Sequence, residues 1–83
     1  MDYAFTVPLE TLRAGEWAEI TDVDGEPSWV GRMAELGLQV GAKCQMIRGG
    51  CPCLVRVGDT QLSIRNPGCY QILVQPISVS SIP

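Results

Sequence analysis

Glycine and proline punctuate this chain too densely for it to build long helices. They stand at Pro8, Gly15, Gly25, Pro27, Gly37, Gly41, Gly49, Gly50, Pro52, Gly58, Pro67 and Gly68, and cut the sequence into pieces of about 6–11 residues. Segments of that length, several of them alternating polar with apolar residues, predict a small barrel of short strands. With 83 residues there is room for one domain, 1–83, with its core over about 8–76. Hydrophobic residues at 46% and charged residues at 18% describe a folded chain and exclude a disordered tail.

Residues 16–24 alternate, with Ala18 and Ile20 on one face and Glu19 and Thr21 on the other. Val23 returns to the inner face one place out of phase, which predicts a bulge near Asp22. Residues 43–48 alternate around Cys44 and Met46. Residues 53–57 and 60–65 flank Gly58-Asp59, a two-residue hairpin loop, with Val55 and Val57 in phase with Leu62 and Ile64. Residues 70–75 supply a fifth strand, with Ile72 and Val74 inward. Residues 8–13 predict one helical turn that buries Leu9 and Leu12. Residues 26–36 predict the single helix: Trp29, Val30, Met33 and Leu36 make one apolar stripe, and Gly37 stops it.

Composition narrows function by exclusion. Six basic against nine acidic residues give a net charge of −3, the wrong sign for reading DNA or RNA. No histidine is present, which removes Ser-His and Cys-His catalytic pairs and histidine metal sites. No glycine-rich phosphate loop leads into a helix, so the chain itself is not expected to bind GTP or to be an enzyme. The N-terminus has neither the basic nor the apolar region of a secretory signal, and no apolar run is long enough to insert in a bilayer. The expected location is therefore cytoplasmic. Four cysteines could pair in three ways, but free thiols suit a reducing cytosol better.

An ordered set of motifs then becomes specific. Leu12-x-x-Gly15, Ala18-x-Ile20, Arg32-Met33-x-Glu35-Leu36-Gly37-Leu38-x-x-Gly41, Val55-x-Val57, Leu62-x-Ile64-Arg65 and Cys69-x-x-Ile72-x-Val74 run in one order along nearly the whole chain. The chain resembles the FeoA family, ferrous iron transport protein A. The resemblance implies a mainly β, SH3-like, five-stranded antiparallel barrel with one short helix and a helical turn near the N-terminus. It also implies a cytosolic adaptor that contacts FeoB, the membrane GTPase that transports ferrous iron. Two departures stand out. The family commonly has alanine at the place of Cys69, after a charged helical turn where this chain has Asn66-Pro67-Gly68. Residues 49–53, Gly-Gly-Cys-Pro-Cys, replace an ordinary linker.

Those departures define the candidate sites. Cys51 and Cys53 form a C-x-C pair that could hold a soft metal such as zinc or ferrous iron, with Cys69 or Cys44 as a third thiolate. Incidental thiols are the plainer reading, since no second knuckle is present. A homodimer could complete a shared metal shell. Asp22, Asp24 and Glu26 read as a solvated loop rather than a calcium site. Trp17, at the start of a strand, is a candidate partner contact that Tyr3 and Phe5 could cover or extend. Arg32 and Arg65 are further contact candidates, or donors that hold loops through backbone carbonyls. The rivals to a transporter adaptor are a cysteine-based metal carrier or sensor and a generic peptide-binding module.

Overall fold

A computed structural model describes residues 6–77. Six strands, not five, form one antiparallel sheet: β1 (Val7–Pro8), β2 (Trp17–Val23), β3 (Lys43–Arg48), β4 (Cys53–Val57), β5 (Thr60–Ile64) and β6 (Ile72–Ile77), in the order β1-β6-β2-β3-β4-β5. Two helices accompany it, α1 (Pro27–Glu35) and the four-residue α2 (Gly68–Gln71), with a 3-10 turn at Leu9–Thr11. The extra strand is β1, two residues paired to β6 at the sheet edge. Proline tolerates that place because an edge position need not donate to the ladder.

Inward residues from β2, β3, β4, β5 and β6 share one core cluster, among them Ile20, Met46, Val55, Ile64 and Val74. A flat sheet would spread those side chains across one face, so the sheet must curl around them. Leu9 and Leu12 enter the same cluster from the 3-10 turn and its end, as their three-residue spacing predicts. The bulge falls where the phase change in β2 requires it. Register with β6 shifts between Ile20 and Asp22, and the Thr21 hydroxyl donates to the Leu73 carbonyl at 3.1 Å. Val23 is thereby turned back against the core. The β4–β5 hairpin turns at Gly58-Asp59, with Val55 opposite Leu62 and Val57 opposite Thr60.

The apolar stripe of α1 needs one correction. Met33 is buried and Trp29 packs against the core, but Leu36 is 37% exposed and Leu38 is fully buried in its place. The cause is the helix end. Gly37 takes φ +102°, its N–H reaches the Ala34 carbonyl at 3.0 Å, and the Leu38 N–H reaches the Met33 carbonyl at 2.8 Å. This paired closure reverses the chain and turns Leu38 inward against Met33. Gly41 also adopts positive φ, +94°, as the chain enters β3.

The second correction concerns the expected last strand, 70–75, whose first two residues, Tyr70 and Gln71, instead end α2. The N–H groups of Tyr70 and Gln71 bond the Pro67 carbonyl, and that of Cys69 bonds the Arg65 carbonyl. Gly68 is buried against the Trp29 ring, where an added Cβ would lie 2.8 Å from Cζ2. The alternation of β6 therefore starts at Ile72, and Tyr70 is 49% exposed.

Candidate functional site

Two regions collect the polar chemistry. The first is a corner formed by the loop before β4, the 3-10 turn and α2. The 3-10 turn sends Leu9 into the core and leaves Glu10 half-buried beside it. Residues 49–52 fold over that turn: an added Cβ on Gly49 would meet the Leu12 carbonyl at 2.9 Å, so only glycine permits the approach. α2 packs on the same turn and carries Cys69 inward. Cys51 and Cys69, 18 residues apart, thus meet with Cα atoms 6.2 Å apart and are joined as a disulfide. This corrects the expectation of four free thiols. A carboxylate oxygen of Glu10 and the two sulfurs all lie within 4.8 Å of one another.

Cys53 does not join that group. It is the first residue of β4, and its side chain points into the core, whereas Cys51 stands in an exposed loop. The two-residue spacing of the C-x-C pair spans a boundary between loop and strand, and the side chains part there. Cys53 and Cys44 are the buried free thiols. Burial, reinforced by the nearby Cys53, pushes the Cys44 thiol up to about 11. Burial chiefly, with the Glu10 charge adding, also raises Cys53, against backbone hydrogen bonds that lower it. Both thiols stay protonated near neutrality, as small hydrophobes do.

The second region is a cleft of about 420 Å³ between the start of α1 and the β5–α2 connection, lined by Glu26, Trp29, Arg65, Asn66, Pro67 and Gln71 along with Gly68. Trp29 forms its apolar wall, held by close approach to Gly25 and Gly68. Arg65 lies at this cleft, and Arg32 lies three residues beyond Trp29 on the exposed side of α1. Among the described residues neither guanidinium donates a hydrogen bond, so the loop-holding role expected of them is not seen. Trp17 is half-buried at the other end of β2, paired to Gln45 and Ile77, about 20 Å along the strand from Val23. Trp17 is not among the residues that line the cleft with Arg65. Tyr3 and Phe5 lie outside the described residues. Asp22, Asp24 and Glu26 are exposed. Glu10 escaped the sequence reading because nothing local marks a lone glutamate 41 positions before Cys51 as its neighbour.

Comparisons with known proteins agree with this architecture. The sequence matches the family model described as the FeoA domain over residues 7–76. The solution structure of FeoA from Chlorobium tepidum is similar at 34% identity, with a TM-score of 0.78 over 86% of this chain and 70% of that one. FeoA of Stenotrophomonas maltophilia, solved with zinc and described as a prokaryotic SH3 domain protein, is 26% identical with a TM-score of 0.70, covering 90% and 93% of the two chains. An iron uptake regulatory protein, also FeoA, shares the fold with a TM-score of 0.79 at 20% identity, over 88% of this chain and all of that one. A search of curated proteins finds no match. The curled antiparallel sheet is thus that of a small SH3-like domain. The chain belongs to the FeoA family, which is linked to ferrous iron transport.

Proposed function

We propose that this chain is an accessory protein of ferrous iron uptake, acting on the cytosolic side by contact with a FeoB-type membrane GTPase transporter. The observation that carries the reading is the FeoA match, which takes in the described fold from β1 to all but the last residue of β6. The chain has no histidine and no phosphate-cradling glycine loop, so its influence on a GTPase would come through binding rather than chemistry of its own. Arg65 and Trp29 at the cleft, with Arg32 beside them, offer an aromatic and two cations on one side of the molecule, a combination common at protein contacts. Trp17 is proposed as a separate, second contact.

The test is titration of the full chain into the purified transporter, or into its cytosolic GTP-binding domain. Saturable binding is expected, with Arg65→Glu and Arg32→Glu each weakening it by at least about tenfold, or ~1.4 kcal/mol. Charge reversal at a rim should act mainly on the association rate and its salt dependence. No saturable binding by the parent chain would refute the reading. Parent-like binding by both arginine variants would move the contact away from the cleft.

A further inference from the structure

Cys51, Cys69 and Glu10 come from three separate segments, yet their donor atoms converge within 4.8 Å. Two thiolates and a carboxylate are a donor set for divalent ions of the zinc and ferrous class, which accept sulfur and oxygen together. The disulfide occupies both sulfurs. We propose that this corner is a redox-gated metal site, shut as the Cys51–Cys69 disulfide and opened by a dithiol reductant to bind one such cation. The proposal does not depend on the transporter contact.

The geometry supplies each part. Cys69 is 0% exposed and fixed on α2, so it forms the stationary side of the site. Cys51 is exposed on residues 49–52, and its sulfur is the one a reductant can reach. A thiolate of the dithiol attacks Cys51 Sγ, the bond to Cys69 Sγ breaks, and Cys69 leaves as a thiolate that takes up a proton. The second thiol of the reductant then attacks its own sulfur in the mixed disulfide and releases Cys51. Two electrons and two protons reach the protein, and the reductant leaves as a disulfide.

On metal binding the two thiols lose two protons and form two sulfur–metal bonds. The Glu10 carboxylate adds a third, giving a site of net charge −1 with the divalent ion. In a tetrahedral site with metal–sulfur bonds of about 2.3 Å, the sulfurs stand roughly 3.7 Å apart. That spacing falls inside the present cluster once the S–S bond opens. Three protein donors leave a fourth position open, the arrangement of exchangeable rather than purely structural sites. Gly49, seated against the Leu12 carbonyl, holds the loop to the segment that carries Glu10, so reduction need not disperse the donors.

The test uses the full chain, reduced by a dithiol that is then removed under inert gas, against the oxidised chain. Zn²⁺ is measured by competition with a chromogenic chelator, and Co²⁺ by its thiolate charge-transfer absorption. The reduced chain should bind one equivalent of either ion and the oxidised chain none. Cys51→Ser, on an exposed loop, should lose the charge-transfer band. Glu10→Gln should keep the band but weaken Zn²⁺ by at least the roughly 10- to 100-fold that follows loss of an outer-shell partner. Cys53→Ala should leave both readouts unchanged. The proposal is overturned if reduced and oxidised chains bind Zn²⁺ alike, or if Cys51→Ser or Glu10→Gln binds as the parent does. Loss of the site in a folded Cys53→Ala chain overturns the donor set, and a reduced chain that unfolds and binds no Zn²⁺ overturns the gate.

Discussion

The end of α1 and the Cys51 corner both reverse the chain around glycines, but they are closed by different means. At the end of α1 the closing hydrogen bonds run among residues 32–39, chiefly those of Gly37 and Leu38. At the corner the closing partners are Leu12, Glu10 and Cys69, each remote in sequence from residues 49–52. A locally closed turn forms wherever its own residues allow it. A remotely closed one exists only after the sheet has folded, and its chemistry can change with the state of one bond. Perturbations of the two should therefore differ in kind.

The largest effect is expected at Met33. Met33→Asp would place an unpaired carboxylate against Leu38 in a core that, among the described residues, holds no buried polar side chain. A loss of roughly 4 kcal/mol or more would consume most of the stability of a domain this small. Circular dichroism should show an unfolded chain at room temperature. A folded Met33→Asp chain would mean that the helix end is not joined to the core.

The corner comes next. Its disulfide closes a loop of 18 residues, a constraint worth about 3 kcal/mol by loop entropy. Reduction, or Cys51→Ser, should lower Tm by roughly 10–25 °C while leaving the far-ultraviolet spectrum native. Zn²⁺ added to the reduced parent should restore part of that loss, and added to Cys51→Ser should restore none. An unchanged Tm on reduction would show that the long-range closure contributes nothing to the fold.

The contrast also explains what could be read from the amino-acid sequence. The bulge at Thr21, the Gly58-Asp59 hairpin and the Gly37 helix end are set by residues that sit next to one another. Alternation and turn chemistry therefore found them. β1 has only two residues, too few to show a period, and the second half of α2, Tyr70 and Gln71, falls in the 70–75 segment whose alternation reads as a strand. The position of Gly68 beneath Trp29 decides in favour of the turn, and no local window contains both residues. The same limit applies to the candidate metal site. A C-x-C motif names Cys51 and Cys53, but the loop–strand boundary separates them; the structure keeps Cys69, already a candidate third thiolate, beside Cys51 and adds Glu10 in place of Cys53.

Cys44 and Cys53 belong to neither corner, and pH distinguishes them from the disulfide pair. The Cys44 thiol stands at about 11 when folded against 9.0 for an ordinary thiol. Below pH 9 it is protonated in both states and contributes no pH dependence. Between pH 9 and 11 the unfolded chain loses this proton while the folded chain keeps it. Stability then falls as pH rises, by on the order of 2–3 kcal/mol across the window. Denaturant melts at pH 8 and pH 11 should show that loss, and Cys44→Val should remove most of it. An equal loss in Cys44→Val would assign the alkaline sensitivity to other groups.

The smallest change probes the local turn itself. Gly37→Ala puts a Cβ on a residue at φ +102°, a region that L-residues rarely enter, and 3.1 Å from Cγ1 of Val57. The backbone penalty is about 1 kcal/mol, and the contact adds a few tenths that Val57 can relieve by shifting. The hydrogen bonds of the helix end reach no residue beyond 39, so this cost should be the same in the reduced and oxidised chains. A double-mutant cycle of Gly37→Ala with Cys51→Ser should accordingly show additive losses within about 0.5 kcal/mol. A larger coupling energy would mean that the two reversals share strain through the sheet, since Val57 and the loop before Cys53 are the two ends of β4. The strand would then transmit the state of the disulfide to the helix, and the local turn would no longer be independent of the remote one.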